Sequence, residues 1–335
     1  MNLTLFNVLA AVIIIIAFIA LNAAYLVWAE RRGAGRIQRR PGPNINGPFG
    51  LLQPPLDGLK LMAKQLLIPG GADKALFAAA PVLAMFPAIM SFVTIPFSDT
   101  LVAHNIDIGL LCVFTFAALG NMSLLFAGWS SHNKYATMAT IRTISQAVAY
   151  EIPMLVTIIT VVMLSGSLDL REIVHQQSGN IFHWNIFPLF GNAHSHSHNI
   201  LMPFSFLIFF ICSLAETNRA PFDLGEEESV LVAGYHIEYG SMGFGLFFMG
   251  EYANIVVGAS LMALLFLGGW GCPFGLFPSV WWFLIKIYIL IATIIWIRWT
   301  FPRSTIYSLL NLSWKVLIPL SLFNLLFTAG LLKVF

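Results

Sequence analysis

The stretch Val8-Leu9-Ala10-Ala11-Val12-Ile13-Ile14-Ile15-Ile16-Ala17-Phe18-Ile19-Ala20-Leu21 carries no charge and offers no polar face. A helix of this composition is apolar all round, which suits only a protein core or lipid. The rest of the chain says which. Of its 335 residues 58% are hydrophobic and 10% charged, with a mean hydropathy of +0.82, whereas a soluble domain carries about 25% charged residues. A soluble globular protein is excluded. Strands of a membrane barrel would alternate in polarity over about ten residues, while a spanning helix needs about 20 apolar ones. Hydropathy places eight spans near 3–29, 76–97, 106–128, 145–165, 201–216, 241–268, 280–298 and 314–332. The expected fold is an all-α polytopic membrane protein, one transmembrane domain over 1–335.

The first apolar run is longer than a signal-peptide core and leads into Glu30-Arg31-Arg32 without a small-residue cleavage site, so a retained span is expected. Cys112, Cys212 and Cys272 are far apart and form no CxxC pair, which argues against a disulfide framework or an iron–sulfur site. A net charge of +2 gives no reason to expect nucleic-acid binding. Fourteen of the 17 basic residues fall in the first, third, fifth and seventh loops or at their edges. The positive-inside rule therefore puts these loops in the cytoplasm and both termini outside it. In the first of them, 30–75, the segment 56–68 reads as an amphipathic interfacial helix with Leu59, Met62, Ala63 and Leu66 on one face and Asp57, Lys60 and Lys64 on another. It would anchor the loop or line an opening in the bilayer surface.

Ionisable groups within spans are costly and usually serve transport or proton relay. Glu30, Glu151, Glu216, Glu238 and Glu251 occur in or at the ends of spans, against one cation well inside, Lys286. Ion pairs that fix helix packing would explain some of them; the excess of carboxylates points to a hydrated proton path. On one helix Arg142 and Glu151 face opposite ways, so each needs a partner elsewhere. An acidic cytoplasmic loop, 216–240, holds Glu216, Asp223, Glu226, Glu227, Glu228 and Glu238 around Arg219. The run His194-Ser195-His196-Ser197-His198 has no Cys or acid ligands beside it, so no metal site is expected.

Several of these segments resemble the H subunit of bacterial NADH-quinone oxidoreductase, respiratory complex I. They are Glu30-Arg31-Arg32-Gly33 to Asn44, Gly47-Pro48-Phe49-Gly50 to Pro54, Asp57-Gly58-Leu59-Lys60, Gly128-Trp129-Ser130-Ser131, Tyr150-Glu151-Ile152, Ala215-Glu216-Thr217-Asn218-Arg219-Ala220-Pro221-Phe222-Asp223, Gly234-Tyr235-His236 and Pro302-Arg303. The resemblance covers essentially the whole chain. It implies a subunit of a multi-pass bacterial inner-membrane enzyme, with no cofactor of its own and quinone as substrate of the complex. Its implied partners are other membrane-arm subunits, the quinone-proximal iron–sulfur subunits of the peripheral arm, and lipid. By the same resemblance Glu30, Arg31, Arg40, Asp57, Lys60, Ala63, Arg219, Phe222, Asp223 and Phe244 match the quinone chamber and its opening. Glu151, Glu216, Glu226, Glu227, Glu228, Glu238, Arg142 and Lys286 match the proton path. Arg31 and Arg219 are expected to pair with acids such as Asp57 and Asp223. Two departures from the family pattern occur, at Val230 and over Thr305 to Ser308. A proton-coupled transporter would use similar buried acids, but the Arg-rich, Pro-Gly-Pro stretch of the first loop has no counterpart after residue 200. The equivalent subunit of a related membrane-bound hydrogenase or dehydrogenase is a third possibility.

Overall fold

A computed structural model describes residues 5–104, 106–187, 200–225, 232–275 and 277–334, with side chains from residue 12 to residue 333. Glu226 to Glu228, Val230 and the His194 to His198 run lie outside the described residues. Among the described residues eight apolar helical segments are found: α1 (Leu5–Ile37), α3 (Lys74–Thr94), α4 (Gly109–Ser130), α5 (Lys134–Ser165), α7 (Met202–Glu216), α8 (Ser241–Phe266), α9 (Val280–Thr300) and a last helix. That last helix runs as α10 (Ile306–Leu312), a π-helical turn at Ser313–Leu317 and α11 (Ile318–Val334). Seven of these segments are long and apolar enough to span a membrane; α7 is apolar but only 15 residues long. Two short helices, α2 (Gln53–Ala63) and α6 (Leu170–Gln176), complete the fold.

Helical bounds depart from hydropathy where polar residues continue an apolar helix. The first helix runs on to Ile37, past Glu30, because nothing in Glu-Arg-Arg-Gly-Ala-Gly-Arg breaks it before Pro41. The fourth span starts not near 145 but at Lys134, where the Asn133 side chain caps the Tyr135 amide at 2.9 Å. The amphipathic helix covers Gln53–Ala63 rather than 56–68. Its two prolines lie in the first turn, where a missing N–H costs nothing. Its end is drawn toward α8, where the Ser241 hydroxyl donates to Leu61 O (3.1 Å) and Lys64 O (2.7 Å).

Packing centres on α8, whose last turns are almost wholly buried between α3, α1, α7 and α9. At Gly250 the Ala84 backbone comes within 3.1 Å of where a Cβ would sit, so α3 and α8 touch backbone to backbone beside Glu251. The basic loops gather at one end of the bundle: Asp73 N bonds Ser130 O (3.0 Å), and Ser304 N bonds Pro221 O (3.2 Å). The described parts of the connections after α3 and after α8 lie at the other end, where Ser98–Thr100 and Trp270–Cys272 wall one cavity.

Candidate functional site

At the basic end, helices α1, α8 and α9 converge on Glu30, a carboxylate with only 7% of its side chain exposed. The Tyr252 hydroxyl of α8 donates to Glu30 Oε2 at 2.6 Å, and Arg219 Nη1 reaches the same oxygen at 3.5 Å. Arg298 of α9 donates to the other oxygen, Oε1. The Arg219 guanidinium lies over the Tyr252 ring, 4.4 Å from its centroid. Its Nη2 stands 3.8 Å from Glu251 Oε2, while Glu251 Oε1 accepts from the Tyr235 hydroxyl at 2.5 Å. Two carboxylates and two guanidinium groups thus compensate one another in a buried site. Such a pair is retained only when its hydrogen bonds are satisfied, and removing one partner strands a charge.

The loop after α7 is held in place by a buried amide. Gln146 Nε2 of α5 donates to Ala215 O and Phe222 O, both at 2.8 Å, and the Phe222 ring packs edge-on to Tyr150, centroids 5.4 Å apart. This presents Asp223, 4% exposed, to Arg303 Nη2 at 3.6 Å. Burial pushes the Asp223 carboxyl above the ordinary carboxylate range, against the pull of Arg303, Arg298 and Arg219. His236 sits among the rings of Tyr235, Phe244 and Phe248, and burial pushes its imidazole below the ordinary range, with Glu251 opposing.

Glu216 and Glu251 line one crevice of about 40 Å³, with Thr217, Asn218, Asn121 and Asn254. A space above about 10–15 Å³ with several polar partners holds a water. Glu216 ends α7, which packs against α5, the helix that carries Glu151. Carboxylates therefore follow one another from Glu216 through Glu251 to Glu30, with Arg219 joining the last two.

Other predicted residues are placed differently. Arg31 bonds Asp57 at 2.8 Å, as expected, and Gln53 supports the same carboxylate at 2.9 Å. The expected Arg219–Asp223 pair is replaced: Arg219 goes to Glu30 and Glu251, and Asp223 to Arg303, because Arg219 points into the helix bundle and Asp223 toward the α9–α10 connection. Arg40 bonds Gln38 at 2.7 Å on the surface, and Lys60 and Ala63 lie exposed on α2. Phe244 packs on Phe248, centroids 4.5 Å apart, beside the α2 end. Glu238 accepts from Asn133 Nδ2 at 2.7 Å, near the α4–α5 turn. Arg142 is half-buried without an ion-pair partner among the described residues. Lys286 lies at the opposite end of α8, its Nζ donating to Leu267 O, Gly269 O and Gly271 O at 2.6–2.8 Å and facing the Trp184 ring at 4.1 Å. It closes the carbonyl end of α8. Sequence reasoning left out Arg298, Tyr252, Tyr235 and Arg303, and named Glu251 without placing it in the site. Tyrosines beside Glu and basic residues at span ends were the available signals.

The model of the NADH dehydrogenase family matches residues 10–329. The chain belongs to that family. It is 73% identical to the NADH-quinone oxidoreductase H subunit of Desulfotalea psychrophila over 335 residues, covering 100% of this chain and 99% of the relative. The H subunit of the Paramagnetospirillum magneticum enzyme is 42% identical over 97% of this chain and 92% of its own length. That of Dehalococcoides mccartyi is 41% identical over 96% and 86%.

Proposed function

We propose that the chain is the subunit of a bacterial inner-membrane NADH-quinone oxidoreductase that shapes the quinone site and passes protons inward from it. The observation that carries this reading is the row of carboxylates Glu216, Glu251 and Glu30 at the basic end, the first two sharing one crevice and the last two joined by the buried Arg219. Forming a quinol consumes two electrons and two protons, and those protons must reach a site shielded from bulk water. A carboxylate positioned along such a route can accept a proton and pass it on.

In this reading the basic end faces the cytoplasm, where iron–sulfur subunits of the peripheral arm dock, and the other membrane-arm subunits pack along the helices. Quinone slides in between α1, α2 and α8. The exposed Leu59 and Met62 of α2 hold the isoprenoid tail at the bilayer surface. The head group passes Ala63 and Phe244 toward Asp57, Arg31, Phe222 and Asp223, with Lys60 and Arg40 at the rim. Glu238 and Arg142 flank the inward path. The chain binds no cofactor itself; the electrons arrive from partner subunits. The test is isolation of the tagged chain from native membranes. It should come out with iron–sulfur subunits and NADH-driven quinone reduction, and a stable chain on its own would sink the proposal.

A further inference from the structure

At the end of the bundle away from the buried carboxylates, two cavities meet. One, of about 520 Å³, is lined by the polar side chains of Ser98, Asp99, Thr100, His175, Ser178 and Ser279. The other, of about 350 Å³, is an apolar groove lined by Ile14, Phe18, Phe92, Phe97, Leu101 and Leu284. Thr100 and Val280 belong to the walls of both. We propose that these two cavities form one site for a single phospholipid with an ammonium headgroup, drawn from the membrane leaflet at that end.

The geometry assigns each part of such a molecule a place. Phe92 lies just inside the end of α3 and Leu284 one turn inside the start of α9, so the groove begins at the helix ends and descends into the apolar zone. Ile14 and Leu101 are 66% and 56% exposed, which leaves it open sideways to lipid tails. An acyl chain fits a wall of this kind, and a soluble ligand does not. The polar cavity lies above it, on the loop side. Its one carboxylate is Asp99, whose Oδ1 accepts from Arg171 Nη2 at 2.7 Å and bonds His175 Nε2 at 3.0 Å. Those two partners hold the Asp99 carboxyl below its ordinary value, so it stays ionised. Its Oδ2 has no hydrogen-bond partner among the described residues. An ammonium group brings three donors and needs acceptors; Oδ2 and the hydroxyls of Ser178, Thr100 and Ser279 supply them. The same hydroxyls are donors for a phosphodiester. Arg171 already balances the Asp99 charge, so the headgroup preference rests on the acceptors offered to the ammonium and not on net charge.

The test uses the protein in its native assembly, exchanged into vesicles of equal phosphatidylethanolamine and phosphatidylglycerol, washed in detergent, and analysed for retained phospholipid by mass spectrometry. Wild type should retain one phosphatidylethanolamine more per assembly than Ala103→Trp, which fills the groove from an exposed position of its wall. Asp99→Asn should keep the groove but lower the preference for phosphatidylethanolamine over phosphatidylglycerol by roughly tenfold, the size of one charge-assisted contact. Equal retention in wild type and Ala103→Trp would overturn the proposal, as would an unchanged headgroup ratio in Asp99→Asn. Displacement of the retained lipid by soluble phosphoethanolamine at equal concentration would overturn it too, because the groove would then contribute nothing.

Discussion

Glu30 and Arg219 are 189 residues apart in sequence and 3.5 Å apart in the fold, with 7% and 5% of their side chains exposed. Arg219 also reaches Glu251 at 3.8 Å and covers the Tyr252 ring, so one planar cation holds two carboxylates and an aromatic face. A lysine keeps the charge but has neither the fork nor the flat face. Arg219→Lys should therefore lower NADH-driven quinone reduction per assembled complex by about tenfold or more. NADH oxidation by a soluble acceptor should be unchanged. Full quinone reduction in a normally assembled variant would show that net charge alone matters at this position.

The opening proposed between α1, α2 and α8 is tested by tail length. Ala63 is exposed at the end of α2, next to the Leu61 and Lys64 carbonyls that bind Ser241. Ala63→Trp should raise the KM for a long-tailed quinone several-fold more than for a short-tailed analogue, since only the long tail must lie along α2. Equal effects on the two substrates would move the route elsewhere.

Lys286 donates three hydrogen bonds to the carbonyls that follow α8, each worth about 1 kcal/mol net. Lys286→Met should thus destabilise the subunit by about 2–4 kcal/mol, seen as a lower unfolding midpoint and less assembled complex. The turnover of what does assemble should stay near wild type. A stable Lys286→Met complex with reduced proton pumping would instead make this lysine part of the proton path.

Much of the fold could be read from the sequence because a bilayer demands long apolar helices. Seven spans and the shorter apolar α7 followed from that demand, and the amphipathic helix of the first loop from its two-faced pattern. The bounds did not, since hydropathy ends where charge begins while the helix continues, as in α1 beyond Glu30 and in α5 before Ser145. Which residues are ionisable inside the membrane was also legible, but not which ones meet. Arg298 is 268 residues from Glu30, and only the crossing of α1 with α9 makes them partners. Asp57 was legible as the partner of Arg31 because both lie in the resemblance to known first loops and are 26 residues apart.

Asp99 gives a pH dependence with a definite sign. Its folded value lies below the ordinary 3.8, chiefly through the hydrogen bonds from Arg171 and His175. The folded state thus binds fewer protons there than the unfolded chain, and the added stability is complete above the ordinary value and lost as pH falls through the folded one. Hydrogen exchange in 97–103 and 170–176 should quicken, after correction for intrinsic rates, as pH falls below about 4. Asp99→Asn should abolish that step, and a step that persists in the variant would assign it to another group.

Glu216 closes α7 and shares the water-sized crevice with Glu251. If protons pass this way, Glu216→Gln should leave assembly and NADH oxidation by a soluble acceptor intact. It should lower quinone reduction and proton uptake together, with Glu216→Asp keeping part of both. The decisive measurement is NADH-driven quinone reduction and proton uptake in reconstituted vesicles, normalised to assembled complex. The account predicts that both rates fall about tenfold or more in Glu216→Gln, the usual scale for losing a positioned proton-transfer group; wild-type rates for both would contradict it.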